Sequence, residues 1–183
     1  SSAVPGRPGA TRSGWSWYRL ADVHAAELVD LSGVAAGDLV LDAGAGDGAI
    51  TRRLAATGAR VVAFELHPGR AARLRRRFGS RVVKVVCADV RDLRLPTRPF
   101  RVVANPPFDG VSALLVRLTS RASRLTRADL VVPRSVADAW HRRLHRPGSG
   151  WAVTAIHRLP RSAFTPRPRI DCCVMVIERR RGR

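Results

Sequence analysis

The sequence predicts an α/β fold: a seven-stranded, mostly parallel sheet with helices on both faces and a C-terminal antiparallel hairpin. Three observations predict it. Short apolar runs alternate with segments of helical spacing between residues 39 and 132, the pattern of parallel strands joined by crossover helices. The first of these runs ends on a glycine-rich stretch, as a strand does when it turns into a helix over a ligand. Two further strand-like runs then close the chain with only a Pro-rich loop between them.

The elements follow in order. Apolar spacing predicts a helix over 21–31 and a buried strand over 39–41. A helix over 49–57 is closed by Gly58, and a second strand covers 60–65, with Val61, Val62 and Phe64 apolar. Residues 68–78 form a basic helix, with Pro68 in its first turn and Gly79 past its end. Strands over 82–87, 100–104 and 128–132 and a helix over 111–119 complete the alternating part. The closing strands are 151–159 and 170–178. Residues 1–14 read as a flexible basic arm and 15–183 as one catalytic domain.

Hydrophobic residues make up 45% of the 183, enough for a single packed core. No apolar run approaches the roughly 20 residues of a membrane-spanning helix, and the N-terminus lacks the apolar stretch of a signal peptide. A cytoplasmic, monomeric protein is expected. Cys87, Cys172 and Cys173 have no CxxC spacing, so neither a zinc site nor a disulfide framework is supported. Cys87 reads as a small buried hydrophobe, and Cys172 and Cys173 as facing opposite sides of a strand. His24, His67, His141, His145 and His157 share no metal spacing. His141 and His145 sit on an Arg-rich helix as surface or RNA-facing residues. Lys plus Arg number 33 against 14 acids, a net +19, and Lys84 is the only lysine. Arginine pairs phosphate through two N–H groups and stacks on bases, so this balance suits nucleic acid. Preference for Arg over Lys is a matter of codon use; the size of the excess is not.

Three stretches carry candidate chemistry. In Asp42-Ala43-Gly44-Ala45-Gly46-Asp47-Gly48, bare glycines let a backbone pass close to a ligand. Glu65 ends the next strand, where a carboxylate can accept both hydroxyls of a ribose. A plain tight turn or a dinucleotide site remains compatible with these residues. Asn105-Pro106-Pro107-Phe108 follows the fourth strand. The Asn105 side-chain carbonyl and the Pro106 backbone carbonyl can accept hydrogen bonds from an exocyclic amine, which strengthen as its nitrogen turns tetrahedral. Phe108 can stack on an extruded base; an ordinary Asn-Pro turn is the plain alternative. Asp89, after the third strand, is either an acceptor for an adenine amine or a strand-end cap. Phe164, in Phe164-Thr165-Pro166-Arg167-Pro168, is either a second stacking wall or a buried loop anchor. Trp15, Trp17 and Tyr18 can stack on cofactor or base, or pin the arm.

In this order and spacing, Asp42-Ala43-Gly44-Ala45-Gly46, Glu65, Asp89, Asn105-Pro106-Pro107-Phe108 and Phe164-Thr165-Pro166-Arg167-Pro168 resemble the rRNA adenine N6-methyltransferases, the family of Erm macrolide-resistance enzymes and KsgA-type dimethyltransferases. The likeness runs from about Trp17 to Glu178. It implies a Rossmann-like class I methyltransferase fold with S-adenosyl-L-methionine as cofactor. Gly44 and Gly46 would line its methionine part, Glu65 its ribose and Asp89 its adenine. Asn105 and Pro106 would hold the target amine, with Phe108 and Phe164 flanking the base. Trp17-Tyr18-Arg19-Leu20 stands where the family has a Gln-Asn-Phe-Leu-like cofactor segment, which makes Tyr18 and Leu20 cofactor contacts. Pro107 replaces the commoner Ile and moves the tetrapeptide toward the DNA amino-methyltransferase pattern.

The chain is read as a compact member that stops before the family's small helical C-terminal domain. The arm and residues 70–77 and 117–146 would take over RNA contact. The expected activity is N6-methylation of an adenine in 23S (large-subunit) rRNA, naked or in an assembling pre-ribosomal particle, conferring macrolide-type resistance. Its rivals are a KsgA-like small-subunit enzyme, a DNA adenine methyltransferase, which lacks a target-recognition domain here, and a non-catalytic RNA-binding module. Intact glycines, Glu65 and Asn105 argue against the last.

Overall fold

The structure, a computed structural model, describes residues 17–182; the arm at 1–14 and Trp15 lie outside the described residues. The elements are β1 (Arg19–Leu20), α1 (Asp22–Ser32), β2 (Leu39–Ala43), α2 (Ala49–Ala56), β3 (Arg60–Phe64), α3 (Pro68–Arg77), β4 (Val83–Val86), β5 (Phe100–Ala104), α4 (Val111–Leu118), β6 (Leu125–Pro133), α5 (Arg134–Leu144), β7 (Trp151–Leu159), β8 (Phe164–Thr165) and β9 (Cys172–Arg179). Local chemistry sets several of the boundaries. Helix α1 stops at Gly33, whose φ of 66° is left-handed. Helix α3 starts with Pro68 at its first turn, and the His67 Nδ1 accepts from the N–H groups of Gly69 and Arg70 at 3.1 and 3.3 Å.

Seven strands form one sheet in the order β4-β3-β2-β5-β6-β9-β7. Strands β4, β3, β2, β5 and β6 run parallel, and β9 is antiparallel to both of its neighbours. The closing pair, β7 and β9, therefore forms an antiparallel hairpin at the edge beyond β6, as the sequence predicts. Strand β9 inserts between β6 and β7, and β7 is the edge. Both faces of the sheet are buried, and successive strand residues alternate between two cores. Leu41, Val102, Leu130, Cys173 and Met175 pack with α4 and α5. Val40, Val61, Val103, Val131, Cys172 and Val174 pack with α1, α2 and α3. Cys172 and Cys173 thus lie on opposite faces, and burial pushes each thiol up to about 11.

Cys87 corrects the sequence reading: it is exposed. Strand β4 is the outer strand of the sheet and ends at Val86, so the apolar run carries the chain past the core and not into it. A second, two-stranded sheet pairs β1 with β8, Arg19 opposite Thr165 and Leu20 opposite Phe164. Nothing in the local sequence announced it. Among the described residues, no helix is long and apolar enough to cross a membrane, and no group of His, Cys, Asp and Glu is placed to hold a metal.

Candidate active site

The C-terminal ends of β2, β3 and β5 lie side by side, where open α/β sheets meet ligands. The glycine turn leaves β2 there. Gly44 and Gly46 have φ of 83° and 59°, a left-handed backbone that disfavours any side chain. Space forbids one as well. A Cβ on Gly44 would come within 2.9 Å of Pro107 Cδ, and one on Gly46 within 2.6 Å of the Trp17 ring. The N–H groups of Gly44 and Ala45 donate to the Phe64 carbonyl at 2.9 and 2.8 Å, tying the turn to the end of β3.

Three carboxylates surround this turn, each held differently. Glu65 is buried. Its Oε1 accepts from the Gly46 N–H at 2.9 Å, its Oε2 accepts from the His67 N–H at 2.7 Å, and Arg70 Nε lies 3.4 Å away. Each oxygen keeps a further lone pair, so a diol can still be bound. Asp89 accepts from the Arg91 N–H at 2.9 Å and from the Arg91 guanidinium at 2.6 Å. These bonds hold its carboxyl below the usual range, so it is an ionised acceptor at neutral pH. Asp42, fully buried beneath the turn, accepts from Thr51 Oγ1 at 2.6 Å through Oδ2, while its Oδ1 has no partner. Burial, first of all, raises its pKa from 3.8 to about 7. A cavity lined by Trp17, Gly44, Glu65, Arg70, Asp89 and Asp109, among others, joins these groups.

Beyond Pro107 lies a second cavity, of about 250 Å³, lined by Trp17, Tyr18, Asn105, Pro106, Pro107, Phe108 and Asp109. Asn105 is nearly buried, and its Nδ2 donates to the Tyr18 carbonyl at 2.7 Å. That bond fixes the amide's orientation and leaves Oδ1 as an acceptor. The Tyr18 and Phe108 rings stack with centroids 5.0 Å apart and planes 22° from parallel, which makes one aromatic wall beside Asn105.

The predicted residues therefore divide into three groups. Gly44, Glu65 and Asp89 come together on one side, with Gly46 beneath the Trp17 ring. Asn105, Pro106 and Phe108 come together on the other. Leu20 and Phe164 join neither and correct the reading. Each is 3% exposed, and both belong to the same hydrophobic core. Their pairing across β1 and β8 buries Phe164 as a loop anchor, and Leu20 as the matching anchor of the N-terminal segment. Tyr18 lines the second cavity and not the first, and its ring meets Phe108 there. Sequence reasoning missed Thr51 and Arg91, and read Arg70 only as part of an RNA-contacting stretch where the structure sets it against Glu65. Thr51 alone had a signal, since a hydroxyl in the first turn of the helix after the glycines falls back over the strand end.

Comparison with known proteins accords with this geometry. The family model described as ribosomal RNA adenine dimethylase matches residues 20–183. The mycinamicin-resistance protein MyrB of Micromonospora griseorubida is 36% identical over 77% of this chain and 47% of its own length. Ribosomal RNA small subunit methyltransferase A of Thermosynechococcus vestitus is 31% identical over 91% of this chain and 68% of its own. The crystal structure of the 23S rRNA methyltransferase ErmE superposes with a TM-score of 0.73 at 26% identity, covering 90% of this chain and 70% of that one. The chain thus spans about half the length of MyrB. Sheet order and glycine-lined bed define a class I methyltransferase fold. Within that class the chain belongs to the ribosomal RNA adenine dimethylase family, the S-adenosyl-L-methionine-dependent rRNA adenine N6-methyltransferases. S-adenosyl-L-methionine is the cofactor which that membership implies.

Proposed function

We propose that this chain methylates N6 of an adenine in large-subunit (23S) rRNA and thereby confers macrolide-type antibiotic resistance. The observation that carries the methyl-transfer reading is Asn105. Its amide N–H is committed to the Tyr18 carbonyl, so its oxygen faces the task of accepting a proton-bearing amine. The residues present also fit the cofactor. Gly44 and Gly46 admit no side chain, Glu65 is tethered by two backbone N–H groups, and Asp89 is ionised. Gly44 and Gly46 would underlie the methionine part, Glu65 would accept from the ribose hydroxyls and Asp89 from the adenine amine.

Bound there, S-adenosyl-L-methionine supplies an electrophilic methyl group on a sulfonium. The protein's part is to make a poor nucleophile better. Asn105 Oδ1 and the Pro106 carbonyl accept the hydrogens of the target amine, and these bonds strengthen as the nitrogen lone pair leaves the ring for the methyl group. Phe108, backed by Tyr18, offers a face on which the extruded base can stack, worth about 1–3 kcal/mol. No side chain is needed to remove the proton before transfer: the methylated nitrogen carries it while the C–S bond breaks, and solvent can take it afterwards.

The large-subunit choice is favoured by the 36% identity to a mycinamicin-resistance protein and the superposition on a 23S rRNA methyltransferase. A second reading, small-subunit rRNA, has support from the 31% identity to a small-subunit methyltransferase over 91% of the chain. Radiolabelled methyl transfer to each purified rRNA, naked and in particles, separates them. Label on one adenine of large-subunit RNA is the expected result. Label confined to the small subunit replaces the first reading with the second, and label in neither RNA ends both.

A further inference from the structure

Trp17 stands where the two cavities meet. It lines the cofactor-side cavity with Gly44, Glu65 and Asp89, and the target-side cavity with Asn105 and Phe108. Its indole rests on the glycine turn: a Cβ on Gly46 would lie 2.6, 2.7 and 2.8 Å from ring atoms Cε2, Cζ2 and Nε1. The Arg70 guanidinium covers the ring, 5.1 Å from its centroid, and reaches on to Glu65, 3.4 Å from Oε1. Indole, guanidinium and carboxylate thus form a layer across the bed. The cofactor-side cavity that remains is about 20 Å³. That is room for a water molecule and not for a nucleoside.

Two features of the chain are at odds in this arrangement. Glycine at 46 strips the backbone so that something can lie on it, yet a residue of the chain itself lies there. Glu65 is tethered and aimed, yet Arg70 and the indole lie over the same bed. A reversible occupant resolves the conflict. We propose that Trp17 is a gate: its indole fills the bed when no cofactor is bound and must leave before one can enter. This rests on the cofactor reading above.

The anchoring of the segment makes such a movement local. Leu20 is fixed in the core opposite Phe164, and the Tyr18 carbonyl is fixed by Asn105 Nδ2. Trp17 precedes both anchors, so its side chain can turn out while Asn105 keeps its orientation. Because the same ring walls both cavities, its departure also opens the way from the bed to Asn105. Cofactor entry and the opening of the methyl group's path are then one event. Turning the indole out also removes the surface on which Arg70 stacks, loosening its hold over Glu65.

Isothermal titration of the full chain with S-adenosylhomocysteine tests the gate, using wild type, Trp17→Ala and Trp17→Phe. Apparent affinity equals the intrinsic affinity reduced by the open fraction. With the bed open about a tenth of the time, Trp17→Ala binds about tenfold tighter and Trp17→Phe falls between. In stopped-flow fluorescence, the wild-type binding rate levels off with rising ligand as opening becomes limiting, and the alanine variant shows no such plateau. Weaker binding by Trp17→Ala overturns the gate and makes the indole a fixed wall of the site. Equal binding by all three proteins overturns it as well, and in both cases the cofactor reading stands. Absence of binding by every protein overturns that reading and the gate with it. Should the alanine variant fail to fold, as judged by circular dichroism, Trp17→Phe carries the same comparison.

Discussion

Replacing Asp42 with asparagine isolates the electrostatic load beneath the glycine turn. The carboxyl is fully buried, one oxygen accepts from Thr51 Oγ1 at 2.6 Å, and the other has no partner. Burial raises its pKa from 3.8 to about 7; the Thr51 hydrogen bond opposes the shift and the Glu65 carboxylate reinforces it. An acid that holds its proton more tightly when folded stabilises the fold at low pH. Its contribution is complete below 3.8, where both states are protonated. Between 3.8 and about 7 the unfolded chain sheds a proton that the folded chain keeps, so stability falls as pH rises, and the loss is complete above about 7. Three units at ~1.4 kcal/mol each make that loss about 4 kcal/mol. Asparagine resembles the protonated acid and can still accept from Thr51, so Asp42→Asn escapes the loss. Urea unfolding of both proteins at pH 4, 6 and 8 measures it, because groups common to both cancel in the difference. The variant's advantage should grow by about 4 kcal/mol from pH 4 to pH 8. An advantage that stays level across this range refutes the assignment of a neutral buried acid.

Three other substitutions probe the site and its supports. Asn105→Ala should lower turnover about 100- to 1,000-fold while changing S-adenosylhomocysteine affinity little in titration; undiminished turnover removes the amine-acceptor role. Gly44→Ala places a Cβ at φ 83° and 2.9 Å from Pro107 Cδ. It should cost about 1–3 kcal/mol of stability and weaken cofactor binding, and a variant that melts and binds as wild type does contradicts the close-packed turn. Phe164→Ala should cost about 3–5 kcal/mol in urea unfolding as a large buried side chain is lost. Unchanged stability with weakened RNA binding would instead return Phe164 to the base-stacking role that its burial denies.

The legible parts of this protein are those where a short stretch does the whole job. The glycine turn, Pro68 at the start of α3 and Asn105 after β5 each stand where local pattern placed them, because turn geometry and strand-end position are decided by neighbours in the chain. The misread parts depend on partners far along it. Which cavity Tyr18 lines depends on a two-residue pairing of β1 with β8 just after it, and nothing near Tyr18 encodes that pairing. Leu20 and Phe164 were read as site residues because their motifs adjoin the site, yet each supplies the other's burial. Cys87 lies at the end of an apolar run like those of the central strands, and only the strand order shows that its strand is an outer one. The register of β9 was also beyond local reading. Adjacent strand-like runs place a hairpin at the edge, as observed, and it is the unpaired edge of β6 that decides that β9, not β7, lies on the inner side.

The basic composition needs the same sorting, since net charge alone assigns every arginine to nucleic acid. At the end of the sheet opposite the glycine turn, arginines serve the fold. Arg101 donates to the Ser32 carbonyl, Arg127 to that of Leu31, Arg179 to those of Leu125 and Ser123, and Arg180 to those of Trp151 and Leu144. Arg127 also clasps the buried Asp129 through two bonds of 2.9 Å. Loop, helix-end and strand-start carbonyls that other folds satisfy with water or backbone are here closed by guanidinium groups, whose several N–H donors reach two acceptors at once. Removing these side chains would unseat loops before it altered any RNA contact. Near the end of the sheet that carries Asn105 the arginines are exposed: Arg134 at the start of α5, Arg158 near the end of β7, and Arg161, Arg167 and Arg169 on the loop that β8 anchors. Of these, Arg134 and Arg161 are each paired with one exposed or half-buried aspartate, and such surface pairs are easily exchanged for phosphate. Under the proposed function, the exposed arginines nearest the target-side cavity are those at the mouth of the site, and Phe164, pinned in the core, holds in place the loop that carries Arg161, Arg167 and Arg169.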